Sequence, residues 1–163
     1  MATIRVQHDP IDVGAEFAAL MSDAHGNTRT DIGGIGSFIG TVRGTAKGRP
    51  ITEMALEHYP GMTERALSAI ADQAAARWNL LATTLIHRVG PMAPGETIVL
   101  VLAASPHRAD ALEATAFLID WLKTKAPFWK RETFTDGTHS WVDARETDEA
   151  AAARWGTEPG HPA

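Results

Sequence analysis

The sequence predicts an α+β fold around a mixed, mainly antiparallel sheet. Strand-length runs turn back on one another through Gly/Pro or Asp-Gly punctuation, and stripes of helical spacing are interspersed among them. Neither an internal repeat nor a regular strand–helix alternation points to a doubly wound sheet. Taken in order, residues 4–7 form a short strand. Asp12 caps a helix whose Val13, Phe17, Leu20 and Met21 share one face, and this helix is expected to end near His25-Gly26-Asn27. Residues 37–43 form a glycine-bearing strand that ends on Arg43, followed by a polar, mobile loop over 44–50.

Residues 51–59 alternate as a second strand, with Thr52, Met54, Leu56 and His58 on one face and Glu53, Ala55, Glu57 and Tyr59 on the other. Pro60-Gly61 stops it. A helix capped near Thr63 then carries Leu67, Ile70, Ala71, Ala74 and Trp78 at core spacing. Residues 81–89 and 97–104 pair as a hairpin across a Gly/Pro-rich connection. Ser105-Pro106 supplies a cap and a first-turn proline for a long helix over 107–125, with Leu112, Ala116, Ile119 and Leu122 expected on its buried side. Pro127 ends that helix. Residues 128–134 and 140–143 close a hairpin at Asp136-Gly137, and 149–155 form a short helix. The expected organisation is one domain over residues 1–155 and a flexible C-terminal tail over 156–163.

A chain of 163 residues with 44% apolar and 21% charged residues can bury a core without a staple. It contains no cysteine, which excludes disulfides, thiolate metal ligands and a cysteine nucleophile. Any sulfur chemistry must use sulfur brought by something else. A net charge of −5 argues against general nucleic-acid binding. With no apolar run of membrane-spanning length and no signal-peptide core at the N-terminus, a cytoplasmic location is the default expectation.

Against that acidic background, Leu122-Lys123-Thr124-Lys125-Ala126-Pro127-Phe128-Trp129-Lys130-Arg131-Glu132 packs four cations around two large aromatics. Such concentration suggests a pocket for an anionic ligand. Lys123 and Lys130 bracket the proline break and could converge, in which case a lysine there can act as nucleophile or proton acceptor. A lysine-rich helix end with solvated tips is the plainer alternative. His107 and Arg108 oppose the positive end of the helix dipole, which a compensating anion such as phosphate would offset; the plainer alternative is that both side chains point into solvent or pair with a nearby carboxylate such as Asp110. Arg43 can fork onto two phosphate oxygens. His58 and His87 alternate with apolar residues and read as packed structural histidines. The histidines lack metal-ligand spacing, so no metal site is expected, and no phosphate loop, dinucleotide fingerprint or nucleophile elbow is present.

Collected in order, these segments resemble the molybdopterin synthase catalytic (large) subunit family. The matching strings are Phe38-Ile39-Gly40-Thr41-Val42-Arg43, Leu56-Glu57-His58-Tyr59-Pro60-Gly61-Met62-Thr63-Glu64 and Ile86-His87-Arg88-Val89-Gly90. They continue through His107-Arg108, the Lys123–Glu132 stretch and Trp141-Val142-Asp143-Ala144-Arg145-Glu146. The resemblance implies an α/β hammerhead-type domain that forms a homodimer and binds one small ubiquitin-like sulfur-carrier subunit per protomer, giving a heterotetramer. It implies transfer of two sulfurs from the carrier's C-terminal Gly-Gly thiocarboxylate to cyclic pyranopterin monophosphate, forming the molybdopterin dithiolene, with no cofactor. Carried over residue by residue, Lys123 and Lys130 are catalytic. Thr41, Val42, Arg43, His107, Arg108, Lys123, Lys130, Arg131 and Glu132 contact substrate, and Arg145 is a further candidate across the dimer.

Overall fold

The computed structural model describes residues 1–142 and 146–156; Arg145 and residues 157–163 of the expected tail lie outside them. The elements are β1 (Ala2–Gln7), α1 (Val13–Leu20), β2 (Gly34–Thr41), β3 (Thr45–Ala46), β4 (Arg49–His58), α2 (Met62–Arg77) and β5 (Ala82–Arg88). They continue with β6 (Gly90–Met92), β7 (Thr97–Ser105), α3 (Arg108–Lys125), β8 (Phe128–Phe134), β9 (His139–Val142) and α4 (Glu146–Ala153). The α+β class and the mainly antiparallel pairing are as the sequence predicts.

The first sheet has the order β1-β5-β7-β2, in which only the β1–β5 pair is parallel. Its central strands are apolar on both faces because both are covered. Leu85, Val99, Val101 and Ala103 meet α2 and α3 through Leu67, Ile70, Ala74, Phe117 and Leu118. Ile86, Leu100, Leu102 and Ala104 meet Leu20 and Phe17 of α1. In the second sheet, β4 pairs with β8 along its length and with β3 and β6 on the other side, while β9 extends β8. Met54, Leu56, Met92 and Phe134 form its own core.

Several local expectations need correction. The first helix ends at Leu20 rather than near His25, because the Asp23 carboxylate accepts from the N–H groups of His25 and Asn27 and folds a turn there. Residues 44–50 are not an open loop: Thr45 pairs with Pro50 and Ala46 with Arg49. Lys47 and Gly48 take φ of 49° and 75°, the left-handed geometry of a two-residue hairpin turn. Gly61, not Thr63, caps α2, with the Glu64 carboxylate accepting from the Gly61 N–H at 2.6 Å. Thr63 is instead fully buried, its hydroxyl donating to the Tyr59 carbonyl. His107, not Ser105, is the cap of α3; the Ser105 hydroxyl accepts from the His107 N–H at 3.2 Å.

The buried stripe of α3 also differs from the expected one. Leu112 is 62% exposed, while Ala111, Ala114, Thr115 and Leu118 face inward. Small residues are needed there because α3 lies directly on β2. A Cβ on Gly36 would collide with the Ala111 carbonyl and the Thr115 hydroxyl, and one on Gly33 with the Pro106 carbonyl. Gly34 lies against Arg108 and Gly36 against Ala111, so strand and helix run side by side in the same direction. The end of β2 therefore meets the end of α3.

Candidate functional site

That shared end opens into a cavity of about 530 Å³ between the two sheets. Phe38 to Arg43 line one wall, Ile119, Leu122 and Lys123 of α3 another, and Met54, Leu56, Phe128, Lys130 and Glu132 of the second sheet the third. A register shift between Gly40 and Thr41 re-aims the last residues of this strand. Val42 is then pinned, its N–H donating to the Glu96 carbonyl at 2.9 Å and its own carbonyl accepting from Gly95 at 2.8 Å. Val42 is buried while Thr41 and Arg43 on either side are exposed.

Lys123 stands on the last turn of α3, where the helix dipole favours a cation. Ala126 breaks the helix in an extended conformation, and the chain returns as β8. Strand alternation then sorts the cationic knot by face. Phe128, Lys130 and Glu132 point into the cavity. Arg131 stands on the opposite face, over the Trp141 ring at 5.9 Å and 3.9 Å from the Glu53 carboxylate. Lys125 lies over Trp121. Of the four cations, Lys123 and Lys130 are the two that share the cavity, and Arg43 joins them from the segment that follows β2.

His107 and Arg108 are exposed at the other end of α3, roughly 22 Å along the helix axis from Lys123. They do not line the cavity. Among the described residues no ion pair joins either to Asp110, so of the plainer alternatives it is the solvent-facing one that holds within a single chain. The same residues hold no group of three or more His, Asp or Glu side chains suited to a metal ion.

Sequence reasoning missed two ionisable members of the cavity wall, His87 and Asp148. His87 is buried and stacks on Phe128, ring centroids 4.0 Å apart and planes 25° from parallel. Burial pushes its imidazole pKa down to about 4, with the charges of Lys123 and His58 acting in the same direction against the bond to the Arg88 carbonyl. The alternation of β5 announced a buried side chain at 87. Its neighbour Phe128 comes from a distant strand and left no local signal. A cavity with three cations, two carboxylates and apolar walls can hold an anionic, partly aromatic ligand and stabilise negative charge that develops on it.

The family model described as MoaE protein matches residues 6–125. The molybdopterin synthase catalytic subunit of Ralstonia nicotianae is 53% identical over 156 residues, covering 96% of this chain and 85% of that one. The solved molybdopterin biosynthesis MoaE protein of Burkholderia ambifaria superposes with a TM-score of 0.79 at 49% identity, covering 97% of this chain and all of that one. The crystal structure of molybdopterin synthase from Staphylococcus aureus gives a TM-score of 0.77 at 28% identity, over 88% of this chain and 98% of that one. No helix among the described residues is long and apolar enough to cross a membrane.

Proposed function

Because the chain belongs to the MoaE family, we propose that it is the catalytic subunit of a molybdopterin synthase, a cytoplasmic sulfurtransferase of molybdenum cofactor biosynthesis. Its partner is a small ubiquitin-like carrier whose C-terminal Gly-Gly thiocarboxylate enters the cavity, and its substrate is cyclic pyranopterin monophosphate. The carrier sulfur bonds to a pterin side-chain carbon as a carbon–oxygen bond of that carbon breaks, the oxygen leaving as water or as the phosphate oxygen of the opened cyclic ester, and a second water then cleaves the carbonyl–sulfur bond. Sulfur stays on the pterin and the carrier leaves as a carboxylate. Two rounds build the dithiolene. The observation that carries this reading is the meeting of Lys123 and Lys130, from separate elements, in one cavity of a chain without cysteine.

In this scheme Lys123 acts as acid, base or transient acyl acceptor at the reacting centre. Lys130 orients the thiocarboxylate and stabilises the oxyanion that forms when its carbonyl is attacked. Arg43 holds phosphate, with Thr41, Val42 and Glu132 shaping the pocket around the pterin. His107 and Arg108 reach this ligand from the second copy in a homodimer, since one chain keeps them a helix length away. Two chains and two carriers then make a heterotetramer.

The test mixes the chain with thiocarboxylated carrier and cyclic pyranopterin monophosphate and follows the dithiolene product by mass spectrometry. Product is expected with the unaltered chain. Lys123→Ala should abolish it while carrier binding stays measurable by calorimetry; turnover near the unaltered level would remove Lys123 from the mechanism.

A further inference from the structure

Arg88 belongs to a stretch that the sequence sets apart, Ile86-His87-Arg88-Val89-Gly90, and the sulfur-transfer scheme gives it no task. It ends β5, and its side chain is only 7% exposed. A buried guanidinium costs more desolvation than an apolar side chain, so its place here follows from what its fork can join. Nε donates to the His8 carbonyl at 3.2 Å, and Nη1 donates to the Glu96 carboxylate at 3.0 Å and to the Thr97 carbonyl at 3.4 Å. Glu96 in turn closes the connection from β6 to β7. Its second carboxylate oxygen accepts from the Ala93 N–H at 2.5 Å, and its own N–H donates to the Ala93 carbonyl at 3.1 Å. The Ala93 N–H and then the Arg88 guanidinium hold the Glu96 carboxyl below its ordinary pKa range, so it is an anion at neutral pH.

The same turn frames the residue before Arg43. Its Glu96 carbonyl accepts from the Val42 N–H and its Gly95 N–H donates to the Val42 carbonyl, so residue 42 is bonded on both sides. Thr97 is the partner of Thr41 where the ladder slips, Gly40 facing Val99 and Thr41 facing Thr97. We propose that Arg88 is a positioning residue for Arg43: it grips Glu96 and Thr97, their turn grips Val42, and that chain of bonds sets the direction in which Arg43 enters the cavity. Arg43 stands two residues past the end of β2 and is exposed, so the strand ladder alone does not aim it. A strand end that shifts register points its side chains one way only when something outside the ladder braces it. This rests on the assignment of Arg43 to the substrate phosphate.

Two variants separate aiming from general support of the fold. The Glu96 side chain is 39% exposed, so Glu96→Gln removes the charge that Arg88 grips without opening the core; Arg88→Lys keeps the buried charge and loses the fork. With carrier present, each should raise KM for cyclic pyranopterin monophosphate about 3- to 10-fold with kcat little changed. In the Arg43→Ala chain, Glu96→Gln should leave KM within about twofold, because the group it aims is gone. The same factor in both backgrounds, an unchanged KM, or a loss confined to kcat would overturn the proposal. A second readout needs no turnover. Amide hydrogen exchange of the Glu96→Gln chain, followed by NMR, should be about tenfold faster at Val42 and Gly95 while the amides of the β5–β7 pair keep their rates. Unchanged rates at these two amides, or equal acceleration throughout the sheet, would overturn it. If the unaltered chain makes no dithiolene, the functional reading fails while the exchange rates still decide whether the grip of Arg88 on Glu96 braces residue 42.

Discussion

At its C-terminal end α3 delivers Lys123 to a cavity walled by two sheets, whereas at its N-terminal end His107 and Arg108 face open surroundings. Both ends carry cations, but their electrostatic settings are opposite. The last-turn lysine sits where the helix dipole favours positive charge, and the first-turn pair sits where it opposes it. One end is finished by the elements the chain itself supplies: β2 runs alongside the helix and β8 turns back from it. The other end is left exposed. A helix thus places a residue in a site only where its neighbours also arrive, and a segment matched to a family by sequence can lie a full helix away from the rest.

The largest effects are expected at the closed end. Lys123→Ala and Lys130→Ala should each reduce kcat/KM by about 10²- to 10⁴-fold, measured as dithiolene formed per minute with saturating carrier. Loss at only one of them would break the picture of a jointly built centre. The same end is also where acid should act on the fold. His87 titrates near 4 in the folded chain and near its ordinary 6.5 when unfolded, so the unfolded chain binds the extra proton between these values. The stability is fully present above about pH 6.5 and is lost as pH falls through about 4, by on the order of 3 kcal/mol. Urea unfolding at several pH values should show this slope, and His87→Gln should flatten it.

At the open end the expected effect is smaller and depends on a second copy. Arg108→Ala should raise KM for the pterin about tenfold, as loss of a charge-assisted phosphate contact does. If the pair serves the partner's cavity, mixing the Lys123→Ala chain with the Arg108→Ala chain restores intact sites and raises turnover above either alone. Failure of the mixture to gain activity, once subunit exchange is shown by mass spectrometry, would place the pair outside the site. The smallest effect is expected for Arg131→Ala. Its side chain lies on the outer face of β8 with Trp141 and Glu53, so turnover should stay within about twofold and stability within about 1 kcal/mol.

Much of this contrast could be read from the chain. The proline break between Lys123 and Lys130 marked a return of the backbone on itself, and strand alternation already separates Lys130 and Glu132 from Arg131. The buried side of α3 could not be read the same way. Leu112 attracts attention as an apolar residue, yet it is Ala111 and Thr115 that lie tight against Gly36 of β2, where nothing larger fits. Bulk misleads where contact is tight. His87 was legible as buried but not as part of the cavity, because Phe128, Lys123 and His58 reach it through tertiary contacts alone. The distance of His107 and Arg108 from Lys123 follows from helix rise.

The glycines of β2 work as shims. A methyl group at Gly36 would meet main-chain and hydroxyl oxygen rather than a yielding side-chain tip, so the helix would have to rise off the strand. A rigid rod lifted at its middle carries its tip with it, and Lys123 would leave its alignment with Arg43 and Lys130. The tolerance of the chemistry is thereby machined into positions that touch no ligand.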